Sequence, residues 1–237
     1  IFETFNLLVP RLTGGGNSAD FGKDSETEKA LVSIGVPTSQ AREFAAQAPG
    51  YWGDQPIVAA PAYIGAIIIF LFVLALFSDR RKEKYIFALG ALFAILLSWG
   101  KHFFLTDWLI DHFPLYNKFR AVSSIQVIAE ICFPILAIVG LNNFFKQPKD
   151  IQQKSLKYAG GIVVGLLLLL AIVGTTLAFG TDKDHYLSQM YFGQVIPQFI
   201  EALQSDRKSM YFNDIMRSGF FVLATIGVLY FYITEKL

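Results

Sequence analysis

The chain has 237 residues, of which 54% are hydrophobic and 15% are aromatic, and its formal net charge is +1. Several of its apolar runs are almost uninterrupted, whereas a soluble domain of this length alternates apolar and polar positions, so the composition indicates a membrane protein. The small net charge provides no basic field for nucleic acid, which we therefore exclude as a partner. The single cysteine, Cys132, excludes an internal disulfide framework.

Residues 1–56 are predicted to form an extramembrane segment of short helices and turns. The apolar residues 2–9 predict a helix end or an interfacial helix. Two further short helices are predicted at 25–36 and 38–48, because Pro37 separates two helical patterns. The Gly-rich stretch TGGGNSADFG before them is predicted to be a loop.

Five transmembrane helices are predicted from stretches that are apolar and near the length of roughly 20 residues that a bilayer requires. Four of these stretches contain no charged residue, and the third contains only Glu130. The expected fold class is therefore an all-α, polytopic helical membrane protein with additional interfacial or amphipathic helices on its outer face. The predicted transmembrane helices lie at 57–77, 85–100, 121–145, 158–181 and 218–234.

The distribution of Lys and Arg in the short loops predicts the orientation of these helices. The loop after the first helix, SDRRKEK, contains four basic residues, and the loop after the third helix also contains four. With five helices, both loops lie on one side of the membrane, which is predicted to be cytoplasmic. Segments 1–56, 101–120 and 182–217 are then predicted to be extracytoplasmic.

The outer segment at 186–217 is predicted to contain an amphipathic helix that lies on the outer leaflet of the membrane. Ser205 and Asp206 are expected to cap the start of a following helix, because both residue types favour that position. The apolar positions recur at the spacing of one helical face: Ile196, Phe199, Ile200 and Leu203.

Four basic residues are predicted to meet at one interfacial depth outside the membrane. Lys101 and His102 follow the second helix, and Lys118 and Arg120 precede the third in the aromatic stretch FPLYNKFR. Arginine can bind phosphate oxygens in a bidentate manner, so this basic cluster suits a lipid phosphate or diphosphate. The alternative is that these cations extend to ordinary lipid headgroups without a specific ligand.

Two carboxylates are candidate substrate-binding or structural residues. Glu130 is expected two to three turns into the third helix, where a charge costs roughly 2.5–3.5 kcal/mol, so it should face protein or water. It is predicted to pair with a cation or transfer a proton, or to form a structural hydrogen bond between helices. Asp54 follows Tyr51 and Trp52 and is predicted to be an acid, a base or a sugar ligand, or else a turn cap. The two aromatic residues suit the membrane–water interface.

The motif chemistry by itself names no reaction and no catalytic residue. The three histidines lack the spacing of metal ligands, so no metal site is predicted. No cofactor is predicted, and a divalent metal is left open. The stretch GGGNSADFGK is not a P-loop, since Asp24 follows Lys23 where that motif requires Ser or Thr.

Four motifs occur in a distinctive order along the chain: YWGDQP, the Pro–Tyr–Gly entry at 61–65, PLYNKFR, and DRKSMYFNDIMRSG. In this order they resemble the C-terminal portion of the bacterial YfhO-like membrane protein family, and the similarity extends over most of the chain. The resemblance implies a multi-pass protein of the bacterial cytoplasmic membrane with a GT-C glycosyltransferase architecture.

The resemblance also implies transfer of a sugar from a polyprenyl-phosphate carrier to an acceptor at the outer face of that membrane. Arg120 would hold the phosphate of the carrier, and Lys118, Lys101 and His102 would assist. GT-C enzymes usually place their catalytic acid in a large outer loop near the start of the protein. The catalytic residue is therefore expected outside this chain, which begins at Ile1 as if cut from a longer polypeptide. The expected partners are membrane lipids, the polyprenyl-phosphate carrier, and the remainder of a longer polypeptide or a partner subunit.

Two other functions are compatible with the same residues. A lipid or solute transporter or flippase would use Glu130 and a kink at Pro134 as a coupling site. A non-catalytic membrane subunit would dock a protein partner through the long outer segments, and the outer cations would then be ordinary surface residues.

Overall fold

The computed structural model describes residues 1–53, 55, 61–112 and 122–234, without the side chains of Asp107, Val122 and Ser123. Within these ranges the chain forms helices and no strand, which confirms the predicted all-α class, and the only β-type pairing is an isolated bridge between Ala19 and Ala48. The α-helices are α1 (Glu26–Ser33), α2 (Thr38–Ala46), α3 (Ala66–Ser78), α4 (Lys84–Ser98), α5 (Thr106–His112), α6 (Gln126–Phe144), α7 (Lys149–Gly174), α8 (Asp182–Phe192) and α9 (Pro197–Ile233).

Three of these helices, α6, α7 and α9, are long and apolar enough to cross a membrane. The apolar helices α3 and α4 are shorter, at 13 and 15 residues. The first predicted span was placed too early, because 61–65 is not helical and α3 begins at Ala66. Gly65 has φ +111°, and the backbone N–H groups of Ile64 and Gly65 both donate to the Leu7 carbonyl at 3.1 Å, so the chain turns before the helix starts.

The two longest helices start before the predicted spans. Helix α7 starts at Lys149 rather than 158, so part of the predicted basic loop forms its first turns, and it ends at Gly174 rather than 181. Helix α9 is continuous for 37 residues, and the predicted boundary between an interfacial helix and the last span does not exist. At 1.5 Å per residue α9 is about 55 Å long, which exceeds the roughly 30 Å hydrocarbon core of a bilayer.

The chain divides into two compact units. Unit 1 comprises Ile1–Leu8, Ala62–Leu166 and Ser218–Leu237, and unit 2 comprises Val9–Pro61 and Leu167–Arg217. Unit 1 therefore contains α3, α4 and α6, whereas unit 2 contains α1, α2 and α8. Helices α7 and α9 contribute residues to both units.

The core of unit 1 is a helix-to-helix interface in which α6 packs against α3 and α4. The rings of Phe72 and Phe133 stack with their centroids 4.2 Å apart. Gly140 of α6 lies directly against Ala75 of α3, where a side chain larger than hydrogen would collide with the Ala75 Cβ and Cα atoms. Small residues at such crossings allow helix backbones to approach closely, which is typical of membrane helix pairs.

The loop between α3 and α4 is closed by a buried carboxylate. Asp79 is 2% exposed and accepts hydrogen bonds from Arg81 Nε at 3.1 Å, Arg81 Nη2 at 2.8 Å and Asn143 Nδ2 at 3.1 Å. Lys84 Nζ donates to the Leu76 carbonyl at 2.6 Å. Two of the four basic residues in this predicted cytoplasmic loop therefore hold the loop itself together.

Acid is expected to weaken this loop. Hydrogen bonds from Arg81 are the main reason that the pKa of Asp79 lies below the usual 3.8 of an aspartate, although burial acts in the opposite direction. A lowered folded-state pKa contributes stability that is present above the unfolded pKa and is lost as the pH falls. Asp79→Asn should cost about 1–3 kcal/mol of unfolding free energy at neutral pH. That cost should shrink below about pH 4. Denaturant unfolding of the wild type and of Asp79→Asn, from neutral pH to below about pH 4, measures this cost and its dependence on pH.

The exposed Glu83 of the same loop provides the matched control. Glu83→Gln should change stability by less than about 0.5 kcal/mol, because its side chain is solvated. A cost for Asp79→Asn that does not change between neutral and acid pH would contradict the assigned role of the Asp79 charge.

Unit 2 contains the two short helices that the sequence predicts around Pro37. Helix α1 starts after Ser25, whose side chain accepts a hydrogen bond from the Glu28 backbone N–H, and α2 starts at Thr38. The apolar stripe of the segment that was predicted to lie on the outer leaflet is covered by protein at its centre. Its residues Phe199 and Leu203 are fully buried in the core of unit 2, where α9 packs against α1 and α2. Helical periodicity shows that a face is buried but not whether protein or lipid covers it.

Asp206 also has a different role from the one expected. It lies inside the continuous helix α9, so it does not begin a following helix. Its carboxylate accepts hydrogen bonds from the backbone N–H groups of Glu26 at 2.9 Å and Thr27 at 2.8 Å. Asp206 therefore caps the N-terminus of α1, from 180 residues further along the chain. The residue type predicted a helix cap correctly, whereas only the tertiary structure shows which helix it serves.

Candidate functional site

The end of α4 presents two of the predicted phosphate ligands to solvent. A short 3-10 turn at Gly100–His102 follows the helix, and Lys101 and His102 in it are both exposed. Gly100 has φ +52°, a left-handed conformation that favours glycine. Its carbonyl accepts a hydrogen bond from Thr106 Oγ1 at 2.5 Å. The turn is thus held by its own backbone and by α5, and the side chains of Lys101 and His102 remain accessible to a ligand.

The segment after this turn exposes apolar side chains. Phe104 is 84% exposed, and Trp108 is 56% exposed on the short helix α5. The Trp108 and His112 rings stack with centroids 5.1 Å apart, and His112 Nδ1 lies 3.0 Å from the Trp108 carbonyl oxygen. Exposed aromatic residues beside an exposed lysine are typical of a protein surface at the depth of lipid headgroups.

The start of α6 is attached to the same end of α4. The 3-10 turn at Val122–Ile125 packs against α4, and Gln126 Nε2 donates to Ser98 Oγ at 3.1 Å. The predicted ligands Lys118 and Arg120 precede this point and lie outside the described residues. Their meeting with the turn at 100–102 therefore stays a prediction.

The aromatic pair before the first predicted span packs within unit 2, with Tyr51 buried and Trp52 half-buried. Tyr51 is 6% exposed, and its hydroxyl accepts a hydrogen bond from the Gln55 backbone N–H at 2.9 Å. Trp52 packs edge-on against Phe179 with ring centroids 5.2 Å apart. The Tyr51 side chain is therefore packed against protein and is not presented to lipid headgroups. Asp54 lies outside the described residues.

Glu130 lies closer to the start of its helix than the sequence predicts. It is the fifth residue of α6, about 6 Å along the axis from Gln126 at a rise of 1.5 Å per residue. Its side chain is exposed with respect to the described residues, as are those of Val127 and Ile131. Of the two predicted surroundings, protein or water, the described part of the chain does not provide the first. A position near a helix end lowers the cost of its charge.

Unit 2 contains a buried ionic cluster that the sequence reasoning did not identify. Arg207 is 1% exposed and forms a bidentate pair with Asp184, with Nη1–Oδ2 at 2.7 Å and Nη2–Oδ1 at 2.8 Å. It also donates to the Pro49 carbonyl through Nε at 3.2 Å and Nη2 at 2.8 Å, and to the Phe179 carbonyl through Nη1 at 3.0 Å. All five N–H groups of this guanidinium therefore have acceptors.

A second ion pair lies about two helical turns further along α9. The Asp214 carboxylate accepts hydrogen bonds from Arg11 Nε and Nη2, both at 2.8 Å. Hydrogen bonding to Asp214 is the main cause of the raised pKa of Arg11. Arg207 and Asp214 are seven residues apart, with the buried Tyr211 between them on the same helical face. This spacing, within the motif DRKSMYFNDIMRSG, was the available signal that charges occupy the buried face of a helix.

The ion pair of Arg207 and Asp184 has a structural role. A guanidinium whose donors are all bound to carbonyl and carboxylate oxygens has none left for a phosphate, whereas exposed Lys101 and His102 are accessible. Asp184 is likewise engaged, because it also accepts from the Thr181 backbone N–H at 2.9 Å in the capping box of α8. Among the described residues, no three His, Cys, Asp or Glu side chains come together as a metal site.

Comparisons of the chain with protein-family models, with curated proteins and with solved structures found no match. The functional assignment therefore depends on the site residues and on the motif resemblance.

Proposed function

We propose that this membrane protein binds the phosphate of a polyprenyl-linked sugar at the end of α4 and takes part in GT-C-type glycosyl transfer from that carrier. The observation that carries the proposal is the exposed pair Lys101 and His102, held by a hydrogen-bonded turn between an apolar helix and the exposed aromatic residues Phe104 and Trp108. This combination suits a ligand with an anionic group at headgroup depth and a hydrocarbon chain in the membrane.

The basic residues would act on the leaving group of the reaction. When the bond between the anomeric carbon and the carrier phosphate breaks, negative charge develops on the phosphate oxygen. Cations fixed beside that oxygen stabilise the charge more in the transition state than in the ground state, which is electrostatic preorganisation. Arg120 would supply bidentate contacts and Lys101 a point charge. The carboxylate that orients the acceptor is not assigned to a residue of this chain.

The proposal is tested by carrier binding to the protein in mixed detergent micelles. The probes are a polyprenyl phosphate and the matching polyprenol, which lacks the phosphate. Removing one charge-assisted contact should weaken binding of the phosphate form by about tenfold or more, since such contacts contribute about 1.5–3 kcal/mol. We therefore expect Lys101→Gln and Arg120→Ala each to weaken polyprenyl-phosphate binding and to leave polyprenol binding unchanged.

Arg80→Ala is the matched control, because Arg80 is an exposed cation in the α3–α4 loop. It should leave binding of both probes unchanged. Equal losses in Lys101→Gln, Arg120→Ala and Arg80→Ala would contradict the proposal and would favour a general attraction of the carrier to surface cations.

A further inference from the structure

Unit 1 contains a surface groove between α7 and α9, separate from the basic turn after α4. Its volume is about 570 Å³, within the roughly 300–1,000 Å³ range of small-molecule sites. Both walls belong to unit 1. The lining residues of α7 are Gln153, Leu156, Lys157, Gly160, Gly161 and Val164, and those of α9 are Ile226 and Tyr230.

Two adjacent glycines shape this groove in different ways. A Cβ atom on Gly160 would meet Ile226 Cδ1 at 3.2 Å, so the missing side chain of Gly160 leaves room for the Ile226 side chain of α9. A Cβ atom on Gly161 would meet nothing within 4 Å, so Gly161 faces the open groove. The first glycine therefore accommodates a side chain of α9, and the second leaves space beside it.

The groove crosses the boundary between the charged and uncharged parts of α7. Lys157 is the last charged residue of this helix, and the following residues through Gly174 are uncharged. Val164 lies about 10 Å deeper along the axis, at a rise of 1.5 Å per residue. Half of a typical hydrocarbon core is about 15 Å, so the groove reaches through much of one leaflet. It therefore has a polar mouth at headgroup depth and an apolar floor at acyl-chain depth.

The mouth of the groove carries a cation that is available to a ligand. Lys157 is exposed and makes no ion pair within the described residues. The polar side chains of Gln153 and Tyr230 line the same groove. Cationic pockets between membrane helices bind anionic lipid headgroups, since the charge and the apolar walls match the two parts of the lipid.

We propose that this groove binds one anionic phospholipid, with its phosphate on Lys157 and an acyl chain along Gly160 and Gly161. The competing occupant is a second copy of the chain, because Gly161 and Gly165 have the spacing of a helix-packing motif. A symmetric pair of chains meeting at this groove would bring two Lys157 side chains together, and like charges oppose that contact. Charge complementarity therefore favours the lipid.

The experiment is native mass spectrometry of the full chain released from micelles that contain phosphatidylglycerol or phosphatidylcholine. The wild type should retain one phosphatidylglycerol and should not retain phosphatidylcholine to the same extent. Lys157→Gln should lower retention of phosphatidylglycerol about fivefold, the effect of one cation near a membrane surface. Gly161→Leu should lower it to a similar extent or further, because the leucine side chain fills the groove without meeting protein atoms at its Cβ.

Two matched controls distinguish this site from a general basic surface. Lys154→Gln removes an exposed cation of α7 that does not line the groove, and Gly165→Leu adds the same side chain at another open glycine of α7. Both variants should retain phosphatidylglycerol like the wild type. Equal losses in Lys154→Gln and Lys157→Gln would overturn the proposal, as would equal retention of the two lipids. A dimer mass that Gly161→Leu abolishes would assign the groove to a second copy. Polyprenyl-phosphate binding tests the other site separately, because none of these variants changes the turn at Gly100–His102.

Discussion

Replacing Arg207 with leucine is expected to cost about 3–5 kcal/mol of unfolding free energy, the largest effect of any single substitution considered for this protein. The guanidinium is 1% exposed and connects segments that are far apart in the sequence, through Pro49, Phe179 and Asp184. Leucine would leave the buried Asp184 carboxylate without its cation and two carbonyl oxygens without a donor. Unpaired groups of this kind carry the full cost of their lost solvation.

Hydrogen exchange of the full chain in detergent micelles locates this effect. In Arg207→Leu, peptides from α1, α2 and α8 of unit 2 should lose protection, whereas peptides from α3 and α4 of unit 1 should keep most of theirs. Arg207→Lys should also be destabilising, because an ammonium group has three donors and cannot replace the five N–H groups of the bidentate fork.

Lys208 provides the matched control, since it is the exposed neighbour of Arg207 on the same helix. Lys208→Leu should change stability by less than about 0.5 kcal/mol. If Arg207→Leu unfolded no more easily than Lys208→Leu, the assignment of Arg207 as a structural residue would be wrong.

Replacing Gly140 with valine is expected to cost about 1–3 kcal/mol, and more if α3 and α6 separate. Even the first side-chain carbon would collide with Ala75 of α3, and in part with its Cα atom, which cannot rotate away. The two helices would have to move apart, which would disturb the stack of Phe72 and Phe133 in the same interface. The interior of a helix bundle is packed too densely to absorb such a change.

The measurement is the midpoint of thermal or denaturant unfolding of the full chain in a defined detergent. Gly227→Val in α9 is the control, because a Cβ atom at Gly227 meets nothing within 4 Å. It introduces the same β-branched residue into a helix without a collision, so it should lower the midpoint much less than Gly140→Val. Equal shifts in the two variants would indicate that helix propensity, and not the contact between α3 and α6, causes the loss.

Local sequence patterns predicted the elements whose formation depends on near neighbours. The two helical patterns on either side of Pro37 predicted α1 and α2, and runs without charged residues predicted the apolar helices. Errors arose at the ends of helices, where the outcome depends on distant contacts. The start of α3 at Ala66 depends on hydrogen bonds from Ile64 and Gly65 to Leu7, which no local pattern reports.

The candidate sites also differ in whether local sequence or distant contacts determine them. The exposed turn with Lys101 and His102 follows the end of an apolar helix, so its position was predictable from local sequence. The role of Arg207 was not, because its partners Pro49 and Asp184 come from other parts of the chain. A charged residue within an amphipathic helix has the same local pattern whether it meets solvent or a buried carboxylate.

The sequence by itself therefore determined the membrane class, the all-α fold and the position of most apolar helices, because these depend on composition and on short-range periodicity. The tertiary structure decided that Phe199 and Leu203 face protein rather than lipid, that Asp206 caps α1, and that Arg207 is bound on all its donors. Periodicity reports that one face of a helix avoids water. Only the packing of segments far apart in the sequence determines what covers that face.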